Sequence, residues 1–350
     1  ESCPVILNCL MVMSRMYFQR PVWEDELFEW DHLLEDAHHR KGFCNAMARK
    51  GFALLAIPGS LQENIGQMNG LAEKFFSRPR EERCAVGRLR LYRNKVIGYR
   101  ELGGGTARFL EVHALAGGGA IPNPKVPGLV KLAAGLHQSF QGMARQLLTW
   151  LAEDQGVPPD ALLQCIDEEV LENLEDGDCS ASVLRLCSYG FESEADVLEA
   201  ERQEEGSVVF DEHTDSSFLT LAAVGSVPGL QFRDPSHPEK WLHVESGLPQ
   251  GKYVVVFVGD FLEVLTKSAF VAARHRVCCS EDSEGRRRRF SMPFLVRGQP
   301  NSIIDTTTFL AKEEGMPLLR LEGVKYSDLR QFLDLKGRQR FSGQLLETEK

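Results

Sequence analysis

The residue types able to do chemistry concentrate between Asp211 and Phe294, where His213-Thr-Asp215, His275-Arg-Val277 and Arg289-Phe-Ser291 follow one another. In an extended strand alternate side chains share a face, so His213 and Asp215 can reach one ion together. His275 is the candidate third ligand. Two imidazoles and one carboxylate leave about half of an octahedral shell open, an arrangement suited to Fe(II) with room for a co-substrate and dioxygen. Arg289 then offers a planar fork matched to a carboxylate, and Ser291, on the same strand face, adds a hydroxyl. Both histidines must be neutral to bind a metal, so activity is expected to fall as pH drops below about 6 to 6.5.

Two other His-x-carboxylate spacings compete with this set. Pro235 and Pro238 bend His237-Pro-Glu239 into a turn, where the alternate-face argument fails. His243-Val-Glu245 lies on a short strand and stays possible, but only His213-Thr-Asp215 opens a strand, Phe218 to Val224, and is followed in order by the second histidine and the Arg-x-Ser pair. The glycine clusters Gly103 to Gly105 and Gly117 to Gly119 lack the strand, helix and lysine of a phosphate-cradling loop and read as loop punctuation.

The elements that must position these residues are legible by period. Glu24 to His39 has near-helical apolar spacing and predicts a surface helix, Phe52 to Ile57 a buried strand stopped by Pro58-Gly59, and Ser60 to Phe76 a helix. Leu129, Leu132, Leu136, Phe140, Met143, Leu147 and Leu151 form one stripe of a long structural helix, with His137 a core histidine beside it. A further helix is expected from Pro158 towards Leu174, its acidic face (Asp167, Glu168, Glu169, Glu172) solvated. From Val183 the period is that of a strand, placing Val183, Arg185, Cys187 and Tyr189 on one face; Tyr253 to Val258 and Arg288 to Val296 read the same way. Tyr326 to Leu335 reads as a closing helix.

Composition bounds the class. At 350 residues, 43% hydrophobic and 26% charged, the chain suits a soluble globular protein with a sizeable core. A formal net charge of −10 argues against nucleic acid as partner, and the basic run Arg286 to Arg288 reads as a solvated edge. Nine cysteines without Cys-x-x-Cys spacing argue against a disulfide framework and a zinc knuckle and favour a reducing, cytoplasmic setting. No apolar run reaches membrane-spanning length; Pro4 to Met13 is too short and reads as an irregular terminus.

The ordered set His213-Thr-Asp215, His275-Arg-Val277 and Arg289-Phe-Ser291 resembles the 2-oxoglutarate and Fe(II)-dependent dioxygenases of the isopenicillin-N-synthase-like group. Val227-Pro-Gly-Leu-Gln231, Val254 to Val264 with Gly259-Asp260, Val183 to Tyr189, Lys50-Gly-Phe52, Phe75 to Arg83 and Gly98-Tyr99 extend the likeness from about residue 40 to 300. The resemblance implies an α+β fold with a double-stranded β-helix (jelly roll) core flanked by N-terminal helices and a C-terminal helix. Its expected divisions are an irregular extension over 1–40, a mainly helical region over 41–178, the catalytic jelly roll over 179–300, and a C-terminal helix and tail over 301–350. It implies Fe(II) on His213, Asp215 and His275, with 2-oxoglutarate held by Arg289, Ser291 and Tyr189, and dioxygen as the oxidant. Where the family often has an Asn before that Tyr, this chain has Cys187. The matching region near the mouth of the site makes Arg108, Phe109 and His113 candidate substrate contacts. The implied activity is that of a monomeric oxygenase hydroxylating or desaturating a small organic molecule, with 2-oxoglutarate decarboxylated to succinate. The alternatives are an iron oxidase of the same fold that dispenses with 2-oxoglutarate, and a non-catalytic jelly-roll binding protein.

Overall fold

The computed structural model describes residues 24–86, 89–91, 95–102, 105–171, 178–190, 207–279, 288–309 and 323–331. Two sheets face each other. Their strands, in chain order, are β1 (Leu27–Glu29), β2 (Phe52–Ala56), β3 (Leu89–Leu91), β4 (Lys95–Leu102), β5 (Ala107–Ala114), β6 (Ala120–Ile121), β7 (Val183–Gly190), β8 (Ser207–His213), β9 (Leu219–Ala223), β10 (Leu230–Arg233), β11 (Trp241–His243), β12 (Tyr253–Val258), β13 (His275–Cys279) and β14 (Arg288–Leu295). The ten-stranded major sheet runs β1-β2-β12-β9-β14-β7-β5-β4-β3, with β6 on β5; the four-stranded minor sheet runs β11-β10-β13-β8. Apart from β1 on β2, the pairings in these two sheets are antiparallel. This is the jelly roll expected above, and its major sheet recruits β1 to β6 from the chain before residue 178.

Each face of the major sheet has its own packing partner, because residues alternate along a strand. The outer face is covered by α1 (Ala37–Lys50), α2 (Gly59–Phe76) and α3 (Leu129–Asp154). The stripe Leu129, Ala133, Leu136, Phe140, Ala144, Leu147 and Leu151 of α3 is wholly or almost wholly buried in this layer, each large side chain contributing about 2 kcal/mol. Between the sheets lie two smaller clusters, one around Phe52, Phe232 and Phe257 and the other around Phe109, Tyr189 and Val277. His137 is the core histidine its position implied: it is buried, and its ring lies 3.3 Å from the Ser182 carbonyl.

Two expectations about elements need correction. Glu24 to His39 is not one helix: a short turn leads into β1, a helix spans Trp30–Glu35, and Asp36 restarts the chain as N-cap of α1, accepting from the His38 N–H at 2.8 Å. The helix after Pro158 is only Asp160–Leu163, and Asp167 is buried rather than solvated, accepting from the Ala181 and Ser182 N–H groups. Phe261 lies in a helix, α4 (Asp260–Leu265). The closing helix is present over residues 326–331. The readings of Pro4 to Met13, Arg286-Arg287 and residues 332–350 fall outside the described residues.

Candidate metal centre and oxo-acid pocket

His213 ends β8, His275 begins β13, and the two are direct cross-strand partners, so the sheet register alone brings them together. Their ring centroids are 4.1 Å apart. Asp215, in the turn after β8, places Oδ1 3.7 Å from His213 Nε2 and 4.0 Å from His275 Nε2. One ligand atom from each of the three lies within 4.8 Å of the others, close enough to share an ion. Each ligand is held from behind. His213 Nδ1 lies 2.7 Å from the Asp211 carbonyl and His275 Nδ1 3.0 Å from the Ala273 carbonyl, which fixes the tautomer that leaves Nε2 free to coordinate. Asp215 Oδ2 accepts from Thr220 Oγ1 at 2.7 Å, which leaves Oδ1 for an ion.

Burial, and then the charge of His275, push His213 down to about 3. The acid limit expected for an ordinary imidazole therefore does not apply at His213, which stays neutral well below pH 6. Asp215 is held below the usual carboxylate range: burial opposes ionisation, but His275, His213 and Arg185 outweigh it. Replacing Thr220 by Val should weaken metal binding by about 10–100-fold with little change in fold, because the isosteric side chain frees Asp215 to rotate. A competitive chelator titration measures this, and unchanged affinity would remove Thr220 from the role.

Arg289 is buried on β14 opposite Tyr189 of β7, with its guanidinium carbon 5.7 Å from the Tyr189 ring centroid. Its Nη2 donates to Glu245 Oε1 at 2.8 Å, while Nε and Nη1 are buried without a hydrogen-bond partner. Those two orphaned donors lie on either side of Nη2, and each is left to be met by an oxygen of a bound anion such as a carboxylate. Glu245 is fixed in turn, accepting the Gly225, Gly229 and Leu230 N–H groups at 2.9, 2.8 and 2.9 Å. The glycines make room for the guanidinium: a Cβ at Gly225 would stand 2.8 Å from Arg289 Cζ, and one at Gly229 would stand 2.3 Å from the Cys278 carbonyl oxygen. Cys187 faces Ser291 across β7 and β14, within hydrogen-bonding reach of both Ser291 and Tyr189. Burial pushes the Cys187 thiol up to about 11 and raises the Tyr189 hydroxyl well above its ordinary value, so both are neutral.

The structure thus gathers His213, Asp215 and His275 in one place and Arg289, Ser291 and Tyr189 in another. Of the expected substrate contacts, Phe109 lies on the inner face, its ring 5.6 Å from Phe210, which in turn lies 4.5 Å from His213. His113 is buried, with Nδ1 2.9 Å from the Ser180 carbonyl. Arg108 does not join them. It is the strand neighbour of Phe109 and so faces the opposite way, opposite Glu101 and near Tyr99, which packs on Phe75 and Phe76 in the helical layer. Glu245 was missed as a functional residue, because its spacing from His243 marked it only as a competing metal ligand. His243 itself is exposed and lies 3.3 Å from Gln231 Nε2.

Residues 180–298 match the family model of the 2OG-Fe(II) oxygenase superfamily, spanning the triad and Arg289. The match covers about a third of the chain. Among its relatives, 1-aminocyclopropane-1-carboxylate oxidase homolog 12 of Arabidopsis thaliana is 30% identical over 43% of this chain and 37% of its own length. Gibberellin 2-beta-dioxygenase 4 of the same plant is 27% identical over 65% of this chain and 66% of its own. The chain therefore spans little more than a third of the first relative. Among solved structures, a full-length Neurospora crassa protein in complex with alpha-KG superposes with a TM-score of 0.67 at 21% identity, covering 91% of this chain and 100% of that one. An oxygenase-family protein from Caulobacter crescentus gives 0.69 at 21% identity, covering 90% and 100%.

Proposed function

We propose that this protein is an Fe(II)- and 2-oxoglutarate-dependent oxygenase of the isopenicillin-N-synthase-like group that hydroxylates or desaturates a small organic molecule. The observation that carries the reading is the conjunction of a preformed His-Asp-His triad with the orphaned Nε and Nη1 of Arg289 in the same inter-sheet space. His213, Asp215 and His275 would hold the metal, and Arg289, with Ser291 and Tyr189, the far carboxylate of 2-oxoglutarate. Bound Fe(II) would supply the dioxygen chemistry that couples oxidation of a substrate C–H bond to conversion of 2-oxoglutarate into succinate and carbon dioxide. The chain itself contributes position and a dry lining: Phe210 against His213, and Phe232 and Phe257 against His275, keep water from the oxidant. That relatives include a gibberellin dioxygenase, and that the Neurospora crassa structure was solved with alpha-KG, supports the same chemistry here. Six described cysteines are free thiols, which supports a reducing, cytoplasmic setting, and no described helix is long and apolar enough to cross a membrane.

The deciding experiment adds Fe(II) and 2-oxoglutarate to the protein without oxygen and then admits air. A weak visible charge-transfer band followed by succinate release is expected. Oxygen uptake without succinate would transfer the reading to an oxidase that does not use the oxo acid, and absence of the band would remove the enzymatic reading.

A further inference from the structure

The inner face of the major sheet holds more positive charge than the triad and Arg289 account for. Arg185 on β7 stands directly across from Glu111 on β5, and its Nε and Nη2 approach Glu111 Oε1 at 3.1 and 3.0 Å. Arg100 Nη2, from β4, donates to the same oxygen at 2.8 Å. Both guanidinium groups also lie over the Phe109 ring, with Arg100 5.1 Å and Arg185 5.3 Å from its centroid. Arg297, just past β14, completes the group. It is 7% exposed, and no described residue accepts a hydrogen bond from its guanidinium, whose Nε is buried without a partner.

Glu111 is thus shared by Arg185 and Arg100, with the charge of Arg297 acting on it as well. Burial opposes ionisation of Glu111, yet Arg185, Arg100 and Arg297 hold it down at about 2. Burial, then the like charges of Arg330 and Arg185, push Arg297 down to about 9. Both shifts mark a cluster short of negative charge. The cluster adjoins the triad, since the charge of Arg185 is felt at Asp215 and His213. It is separate from the Arg289 fork: Tyr189, the cross-strand partner of Arg289, lies four residues along β7 from Arg185, about 13 Å in an extended strand. A buried guanidinium N–H lacking an acceptor is costly, and a ligand anion is the natural means of satisfying the Nε of Arg297.

Resting on the oxygenase reading above, we propose that Arg297, with Arg185 and Arg100 around it, binds the anionic end of the substrate, which is a small carboxylic acid. Glu111 orients Arg185 and Arg100, and the excess charge is left for the ligand. The acid would be anchored on the far side of the triad from the oxo acid, with its carbon skeleton directed along Phe109 towards the metal.

The test uses benzoate as a minimal monocarboxylate and benzamide as its neutral counterpart, read as the shift in Tm of the full chain. Benzoate at about 20 mM should raise Tm by roughly 2 °C, and benzamide should not. Saturating 2-oxoglutarate should leave that increment in place, while Arg297→Gln abolishes it and Arg297→Lys keeps part of it. Without ligand, Arg297→Gln should melt at or above the unsubstituted protein, since a buried unsatisfied charge has been removed. Equal shifts with benzamide, no shift with benzoate, loss of the increment when 2-oxoglutarate is present, or a marked fall in Tm for unliganded Arg297→Gln would each overturn the proposal. Failure of the oxygenase reading is seen separately, as no charge-transfer band with Fe(II) and 2-oxoglutarate.

Discussion

His275→Ala should abolish turnover and reduce metal affinity by more than the ~10–100-fold typical of losing an outer-shell partner, because one of only three protein ligands disappears. His275 is also the better-enclosed histidine, with Phe257 and Phe232 rings at 4.8 and 5.7 Å and the His213 ring at 4.1 Å. The variant should therefore take up less than one equivalent of Fe(II) and give no charge-transfer band with 2-oxoglutarate. The metal-linked rise in Tm should also vanish, since an ion that binds the native state stabilises it only while the site exists. A variant retaining a full equivalent of tightly bound Fe(II) would contradict the assignment. His275→Gln, closer in volume, separates loss of the ligand from loss of packing around the two phenylalanines.

Arg289→Met should have two effects that a second substitution can pull apart. The first is on the oxo acid: losing a charge-assisted, two-pronged contact should weaken 2-oxoglutarate binding by about 100-fold, some 3 kcal/mol. The second is on the fold. Glu245 is 1% exposed, and without Arg289 it becomes a buried carboxylate with no cation, a situation that commonly costs about 3–5 kcal/mol. The three backbone N–H groups from Gly225, Gly229 and Leu230 remain, so the cost should fall towards the lower end of that range. Combining Arg289→Met with Glu245→Gln should restore much of the stability by removing the stranded charge, yet leave 2-oxoglutarate binding as weak as in the single variant. Denaturant unfolding reads the stability, and the oxo-acid dependence of succinate release reads the affinity. If the double variant recovered oxo-acid affinity, Arg289 would be a structural cation and not the carboxylate fork.

The sequence by itself picked out the three side chains that the fold clusters, His213, Asp215 and His275, and the faces of the strands around them. The two-residue spacing of Arg289 with Ser291 needed only the period of an extended chain, and so did the placement of Arg185, Cys187 and Tyr189 on one face of β7, whereas Asp215 lies past the end of β8 and is brought to His213 by the turn of the chain. The same period, applied strictly, already separates Arg108 from Phe109, which is why Arg108 faces the helical layer. What only the tertiary structure decided is which faces meet. Glu245 is separated from Arg289 by two strands and a helix, and nothing near it in the chain marks it as the partner of a guanidinium. The carbonyls behind His213 and His275, the hydroxyl of Thr220 behind Asp215, and the convergence of Arg185, Arg100 and Arg297 on Glu111 are equally non-local. Side-chain direction along a strand follows from local stereochemistry and is readable residue by residue. The neighbour across a sheet is set by register and by the packing of two sheets, which depend on the whole chain at once.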